Sequence, residues 1–286
     1  MALDTLQGAD WGTAGNWASG AVPVANDAVS IPATLNVNVT DSGGAAETID
    51  LDLVKVTPGF NHLFGTSGAP IRFAADRIEV GGSSGFYFES DADTSGTPLI
   101  TDLIEVLCPN ANTPVEIGSY DSNSTANRGV ITKIVISRGN VLLKGNIIFN
   151  SSEVILNPTS PGDARLEIAS GADTLEELDI RGGESIAHNV LTEIKIARGA
   201  KHTQDTAAIT TAEVYGTLLV NYGAGLAGTT VATTIRMYKG STVNLFGDGT
   251  KAGLAKTVTT IVKHPDSTLI YDSSLHTIST LEVRGI

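Results

Sequence analysis

The chain has one cysteine, Cys108, in 286 residues. That excludes an intrachain disulfide framework, a thiolate zinc cluster and a dithiol redox pair. Within LIEVLCPN, Cys108 is expected to be a buried strand thiol. Aromatic residues are scarce too, at 5% of a chain that is 41% hydrophobic. A core must then be built from thin layers of aliphatic side chains, which suits a solenoid better than a thick globular centre. Basic residues are outnumbered, 18 Lys and Arg against 31 Asp and Glu, for a formal charge of −13 and a pI of about 4.7. This argues against nucleic acid, whose phosphates need clustered Lys and Arg. Such acidity is most economically a solubility device, although it also suits a basic partner or divalent cations. Long apolar runs are missing: no stretch approaches the roughly 20 residues of a membrane span. The start, MALDTLQGADW, lacks a basic and an apolar leader region, so the chain is expected to stay in the cytoplasm until something else releases it.

What is present is a loose repeat. From residue 131 the segments ITKIVISRGNVLL, LEELDIRGG, LTEIKIARGA, ITTAEVYGTLLV, VATTIRMYKGSTVNL, VTTIVKHPDSTLIY and ISTLEVRG each combine a β-branched or Leu alternation with a Gly or turn residue. Successive starts from Leu191 to Ile278 are 18, 22, 27 and 20 residues apart, about the length of one coil of a β-solenoid. In IVIS, IKIA and LEVR the Ile, Leu and Val are expected to point inward onto the coils above and below, and the polar residues outward. TLEELDI reads as a strand by its place in the repeat.

Before residue 131 the pattern is less regular. Strands are expected at NVNVT, IDLDLVKV, IRFAADRIEV, FYFES and LIEVLC, separated by polar turns such as GFNHLFGTSGAP and GSYDSNSTANRG that are candidate contact surfaces. No proline-rich or low-complexity linker marks a second domain. The expected fold is all-β, a parallel right-handed β-helix or β-solenoid. It comprises an N-terminal cap and first strands over 1–48, irregular coils over 49–130 and regular coils over 131–286, in one continuous body.

The opening carries both tryptophans. Trp11, Asn16, Trp17, Gly20, Pro23, Asp27, Val29 and Ile31 follow the pattern W-x(4,5)-N-W-x-x-G-x-x-P-x(3)-D-x-V-x-I, which resembles the opening of many β-helical surface proteins of bacteria and of several virion proteins of tailed phages. The match spans about 25 residues. Bacterial exoproteins of this kind stand behind a signal peptide, so the resemblance implies a phage virion protein assembled in the host cytoplasm and released by lysis. It implies a nonenzymatic capsid decoration (cement) protein on the capsid surface, a homotrimer bound to the major capsid protein, with no cofactor, nucleic acid or membrane. A tailspike, tail fibre or adhesin binding or cleaving a host polysaccharide is the alternative. Within the opening, Trp11, Asn16, Trp17, Pro23 and Asp27 are read as a structural cap: the rings close the apolar end of the stack and Pro23 with Asp27 turns the chain into its first strand.

Other motifs favour plain readings. Glycoside cleavage needs two carboxylates about 5 to 9.5 Å apart. FGDGT with Asp266 and Asp272 is the best cluster, but Gly-Asp-Gly is a tight-turn sequence. The sugar platforms available in the second half are Tyr215, Tyr222, Tyr238, Phe246 and Tyr271. ESDADTSGTPLITD matches much of a calcium loop through Asp91, Asp93, Ser95, Gly96 and Asp102, yet Pro98 and the closing Asp depart from it, so a polar turn is expected and a nonhelical calcium site is the alternative. His62, His188, His202, His264 and His276 lack metal-ligand spacing and a nearby Ser or Cys, and are expected on the surface or in loops.

Overall fold

The structure, a computed structural model, describes residues 3–41, 50–90, 99–120, 129–160, 162–221, 230–249 and 254–285, the side chains of 150 and 151 excepted. The chain forms two compact units, Met1–Ser152 and Glu153–Ile286. Both are all-β with parallel, stacked strands. The described residues contain no α-helix, only a 3-10 turn at Ala14–Asn16.

The first unit holds β1 (Asp4–Thr5), β2 (Ala28–Ile31), β3 (Asp50–Val56), β4 (Leu63–Phe64), β5 (Ile71–Val80), β6 (Gly85–Ser90), β7 (Ile100–Leu107), β8 (Pro114–Ser119) and β9 (Val130–Leu143); the boundary falls within β10 (Phe149–Leu156). One ladder joins β2, β3, β5, β7 and β9 through the column Val29, Val54, Ile78, Ile104 and Ile134, all fully buried. A second ladder joins β4, β6, β8 and the end of β9 through Phe64, Phe86, Val115 and Val141. β9 serves both ladders by bending at Gly139, whose φ of 132° lies where a side chain is disfavoured.

The second unit continues with β11 (Ala164–Ile168), β12 (Leu175–Ile180), β13 (Glu184–Ala187), β14 (Leu191–Ile196), β15 (Lys201–Gln204), β16 (Ile209–Val214), β17 (Thr217–Val220), β18 (Thr230–Met237), β19 (Thr242–Asn244), β20 (Lys256–Lys263), β21 (Thr268–Ile270) and β22 (His276–Val283). Each strand pairs in parallel with the next but one, so the even strands from β12 make one ladder and the odd strands from β11 another. A strand of one ladder is thus the crossover that a parallel pair in the other requires. The column Leu178, Ile194, Ala212, Ile235, Ile261 and Leu281 runs through the even ladder, and its first five members are fully buried. Each such Leu or Ile contributes about 1.5–3 kcal/mol by leaving water.

The repeat segments are strands, as the alternation predicts, but the inward spacing is not strictly two. Leu191, Ile194 and Ile196 are buried, with Thr192 and Glu193 both outward, and Leu175, Leu178 and Ile180 behave alike. Ladder pairing skips Glu176 and Thr192 together, without a change of register, and all three apolar side chains keep facing the core. In the first unit Leu51, Val54 and Val56 have the same spacing, so this pattern starts well before residue 131. NVNVT is not a strand: only isolated bridges form there, Asp10 with Thr40 and Val39 with Phe64. GFNHLFGTSGAP contains β4, and Phe60 and Phe64 are wholly buried, so this stretch supplies core. In LEVR, Leu281 and Val283 stay 43% and 60% exposed because no described strand lies beyond β22.

Candidate functional site

The tryptophans sit in the core of the first unit. Trp11 is fully buried; it stacks on Phe73 (5.2 Å, 15°) and meets Trp17 and Phe64 edge-on at 5.0 and 5.7 Å. The Trp17 Nε1–H donates to the Trp11 carbonyl (2.9 Å), and Leu6 forms an antiparallel bridge with Trp17 along the edge of β1. Asn16 donates to the Asp10 carbonyl at 2.9 Å, Pro23 is buried, and the Asp27 carboxylate accepts from the Val24 N–H at 2.8 Å to close the turn into β2. Their faces are filled by one another and by Phe73, leaving no free platform for a sugar.

The strand register of this unit aligns a column of aspartate positions. Asp52 N–H donates to the Asp27 carbonyl (3.0 Å); Asp52 lies opposite Asp76 between the pairs Leu51↔Ala75 and Leu53↔Arg77; and Asp102 precedes the Arg77↔Leu103 pair. Four aspartates thus recur at equivalent backbone positions of neighbouring segments, while the Asp27 carboxylate is taken up by the Val24 N–H. Asp50 flanks the column with a buried Oδ1, and burial, then Asp76, Asp102 and Asp52, hold its carboxyl above the usual range. Of the calcium-loop candidates, only Asp102, exposed on β7, is placed; Asp91, Asp93 and Ser95 lie outside the described residues. Among the described residues, no group of three or more His, Cys, Asp or Glu is arranged to hold a metal ion.

Beside this column the outward face carries a row of ion pairs, Lys55 to Glu79 (2.7 Å), Glu79 to Arg77 (3.2 Å) and Arg77 to Glu105, along a groove of about 340 Å³ whose lining includes Pro58, Leu107 and Val135. These charges satisfy each other, and exposed pairs contribute at most about 1 kcal/mol each. On the second ladder Glu89, 6% exposed, is held by Lys144 (2.8 Å) and Asn146 (3.2 Å), with the Arg72 guanidinium over the Tyr120 ring at 3.5 Å.

In the second unit two histidines depart from expectation. His202 and His276 are buried, and His202 does have a serine: Ser185 Oγ lies 2.8 Å from its Nδ1. The proton positions follow from Gln204, whose amide N–H groups donate to the carbonyls of Asn189 (2.9 Å) and Ala207 (3.0 Å), leaving Oε1 to accept from His202 Nε2 at 3.1 Å. Nδ1 is then the acceptor and Ser185 the donor. Burial pushes the His202 imidazole down from 6.5 to about 4. Ser185 and His202 are 2% and 0% exposed, so this pair, which resembles a nucleophile with its base, is sealed from substrate and acts as a core hydrogen-bond network. His188 lies in a groove of about 310 Å³ between Asp205 (3.1 Å) and Glu167 (3.7 Å).

The remaining candidates are held locally. Asp248 N–H donates to Asn221 Oδ1 (2.8 Å), Asp266 pairs with Lys239 (3.6 Å), and Asp272 accepts two hydrogen bonds from Ser274, which keep its carboxyl below the usual range. Asp266 and Asp272 lie at opposite ends of β21. Tyr215 and Tyr238 stack face to face at 3.9 Å, which uses one face of each ring; Phe246 meets the edge of His276, Tyr271 is 39% exposed and Tyr222 lies outside the described residues. Cys108 is buried and its thiol is pushed up to about 12 by that burial. Compared with protein-family models, curated proteins and solved structures, the chain gives no match.

Proposed function

We propose that the ladders of each unit are the faces of a right-handed parallel β-solenoid, and that the protein is a nonenzymatic virion component that coats a tailed-phage capsid. Right-handedness follows from the strong bias of parallel crossovers in one sheet. The observation that carries the reading is the join between the opening motif and the stack. Trp11 and Trp17 are buried against the first layers, and Val29 begins a column that runs through Ile134. That is how a cap followed by coils works: it seals the apolar end of a scaffold whose outward surfaces are free for contact. The proposed partner is the major capsid protein, with three copies around a symmetry axis and the assembly made in the host cytoplasm.

The test is co-sedimentation of the purified protein with capsids of the phage that encodes it. Saturable binding at a fixed number of copies per capsid is expected. Failure to bind, or release of oligosaccharides from a host-surface polysaccharide, would replace the capsid reading with the tailspike or adhesin one.

A further inference from the structure

We propose that two copies of the chain pack face to face through the outward side of β12, β14, β16 and β18, with Lys195 opposite Glu213 of the partner subunit. The parallel register sorts the outward residues of these strands into columns. One column reads Asp179, Lys195, Glu213 and Arg236, so its charge alternates from layer to layer. A second reads Glu177, Glu193, Thr211 and Thr234. A third follows the strand ends as Arg181, Ala197, Tyr215 and Tyr238, each held by its N–H to the preceding layer. Tyr238 covers one face of Tyr215 at 3.9 Å, while the row position on the other side carries only the Ala197 methyl group, and Tyr215 stays 39% exposed. Glu213 and Arg236 stand in register on adjacent strands, yet among the described residues neither has an ion-pair partner.

Charge selects the occupant and the register. A two-fold axis lying along the strands, midway between β14 and β16, keeps each column opposite itself and reverses the order of its layers. The alternating column then complements its own copy throughout: Asp179 meets Arg236 of the partner subunit, and Lys195 meets the partner's Glu213. In the same register Glu193 and Glu177 meet the hydroxyls of the partner's Thr211 and the partner's Thr234. Tyr215 enters the space over the partner's Ala197, and Tyr238 meets the guanidinium of the partner's Arg181. Packed sheets lie about 10 Å apart, a gap that opposed long side chains span. Other registers fail: an axis through β14 opposes two Lys195, one through β16 opposes two Glu213, and an axis along the stack sets Glu177 against Asp179. The four strands belong to the second unit and are flanked by further paired strands, β10 and β20, so the face does not depend on how the stack ends. Nor does it depend on the capsid reading; added to a threefold assembly, it would make a hexamer.

Sedimentation equilibrium of the 286-residue chain over a wide concentration range tests it, with thermal melts to show that each variant is folded. Wild type is expected to associate in an even number of copies. E213K sets lysine against Lys195 across the axis and K195E sets glutamate against Glu213, so each alone is expected to halve the associated mass. Mixed in equal amounts, the two oppose lysine to glutamate at both contacts and are expected to restore it. A197Y leaves every charge in place, fills the space that Tyr215 of the partner subunit enters, and is expected to halve the mass as well. A monomeric wild type, a folded E213K or A197Y that keeps the wild-type mass, or folded E213K and K195E that stay apart when mixed would overturn the proposal.

Discussion

Acid should loosen the second unit through one residue. His202 titrates at about 4 when folded, against 6.5 when the chain is unfolded. Between these values the unfolded chain takes up a proton that the folded chain refuses, so His202 contributes its full stability above pH 6.5 and loses it as pH falls towards 4. A gap of about 2.5 units corresponds to about 3 kcal/mol, a large part of the stability of an ordinary domain. His276, held below its ordinary value mainly by burial and by Lys256, acts in the same direction and must be separated from it. The assay is urea unfolding at steps from pH 7.5 to pH 4, on wild type and on His202→Gln, with the imidazole followed by NMR. Wild type is expected to lose about 3 kcal/mol more than the variant across that window, and the His202 resonance to stay unshifted until near pH 4. A midpoint near 6.5, or identical pH dependence in both proteins, would refute burial as the cause.

Other perturbations have definite signs. Trp17→Ala removes a ring that is 2% exposed and meets Trp11 edge-on, and should cost about 3–5 kcal/mol in chemical denaturation; a variant melting like wild type would place the ring outside the core. Asp50→Asn should raise the melting temperature at pH 7, because a carboxyl held above its usual range stabilises the fold only while protonated, and the gain should vanish near pH 3. Cys108 should resist a thiol reagent at pH 8 in the native protein and react at once in denaturant. Gly216→Ala should destabilise strongly in a thermal melt, since a Cβ there would sit 2.3 and 2.4 Å from the carbonyl oxygens of Ala197 and Ala200.

The strands were legible in the sequence where inward apolar residues recur, as at Leu191, Ile194 and Ile196, because burial on one face of a pleated strand imposes that pattern directly. NVNVT carries an equally clear alternation, yet among the described residues it forms only isolated bridges; alternation reports a face and not a neighbour. Phe60 and Phe64 were hidden in a polar, glycine-rich stretch that reads as a surface loop. The aspartate column was illegible for another reason: Asp27, Asp52, Asp76 and Asp102 are 24 to 26 residues apart, and only the parallel register makes them neighbours. Ser185 and His202 are likewise 17 residues apart, one step along the ladder pairing β13 with β15. Aligning the repeats column by column, rather than scanning for local motifs, was the signal that would have found both.

The capsid-coating proposal is tested most directly by heating capsids of the encoding phage with and without saturating protein, and following rupture by the fluorescence of a DNA-binding dye. Rupture is expected at a higher temperature when the protein is bound, because a ligand that prefers the intact shell stabilises it by mass action. An unchanged rupture temperature at saturating protein would contradict the proposal.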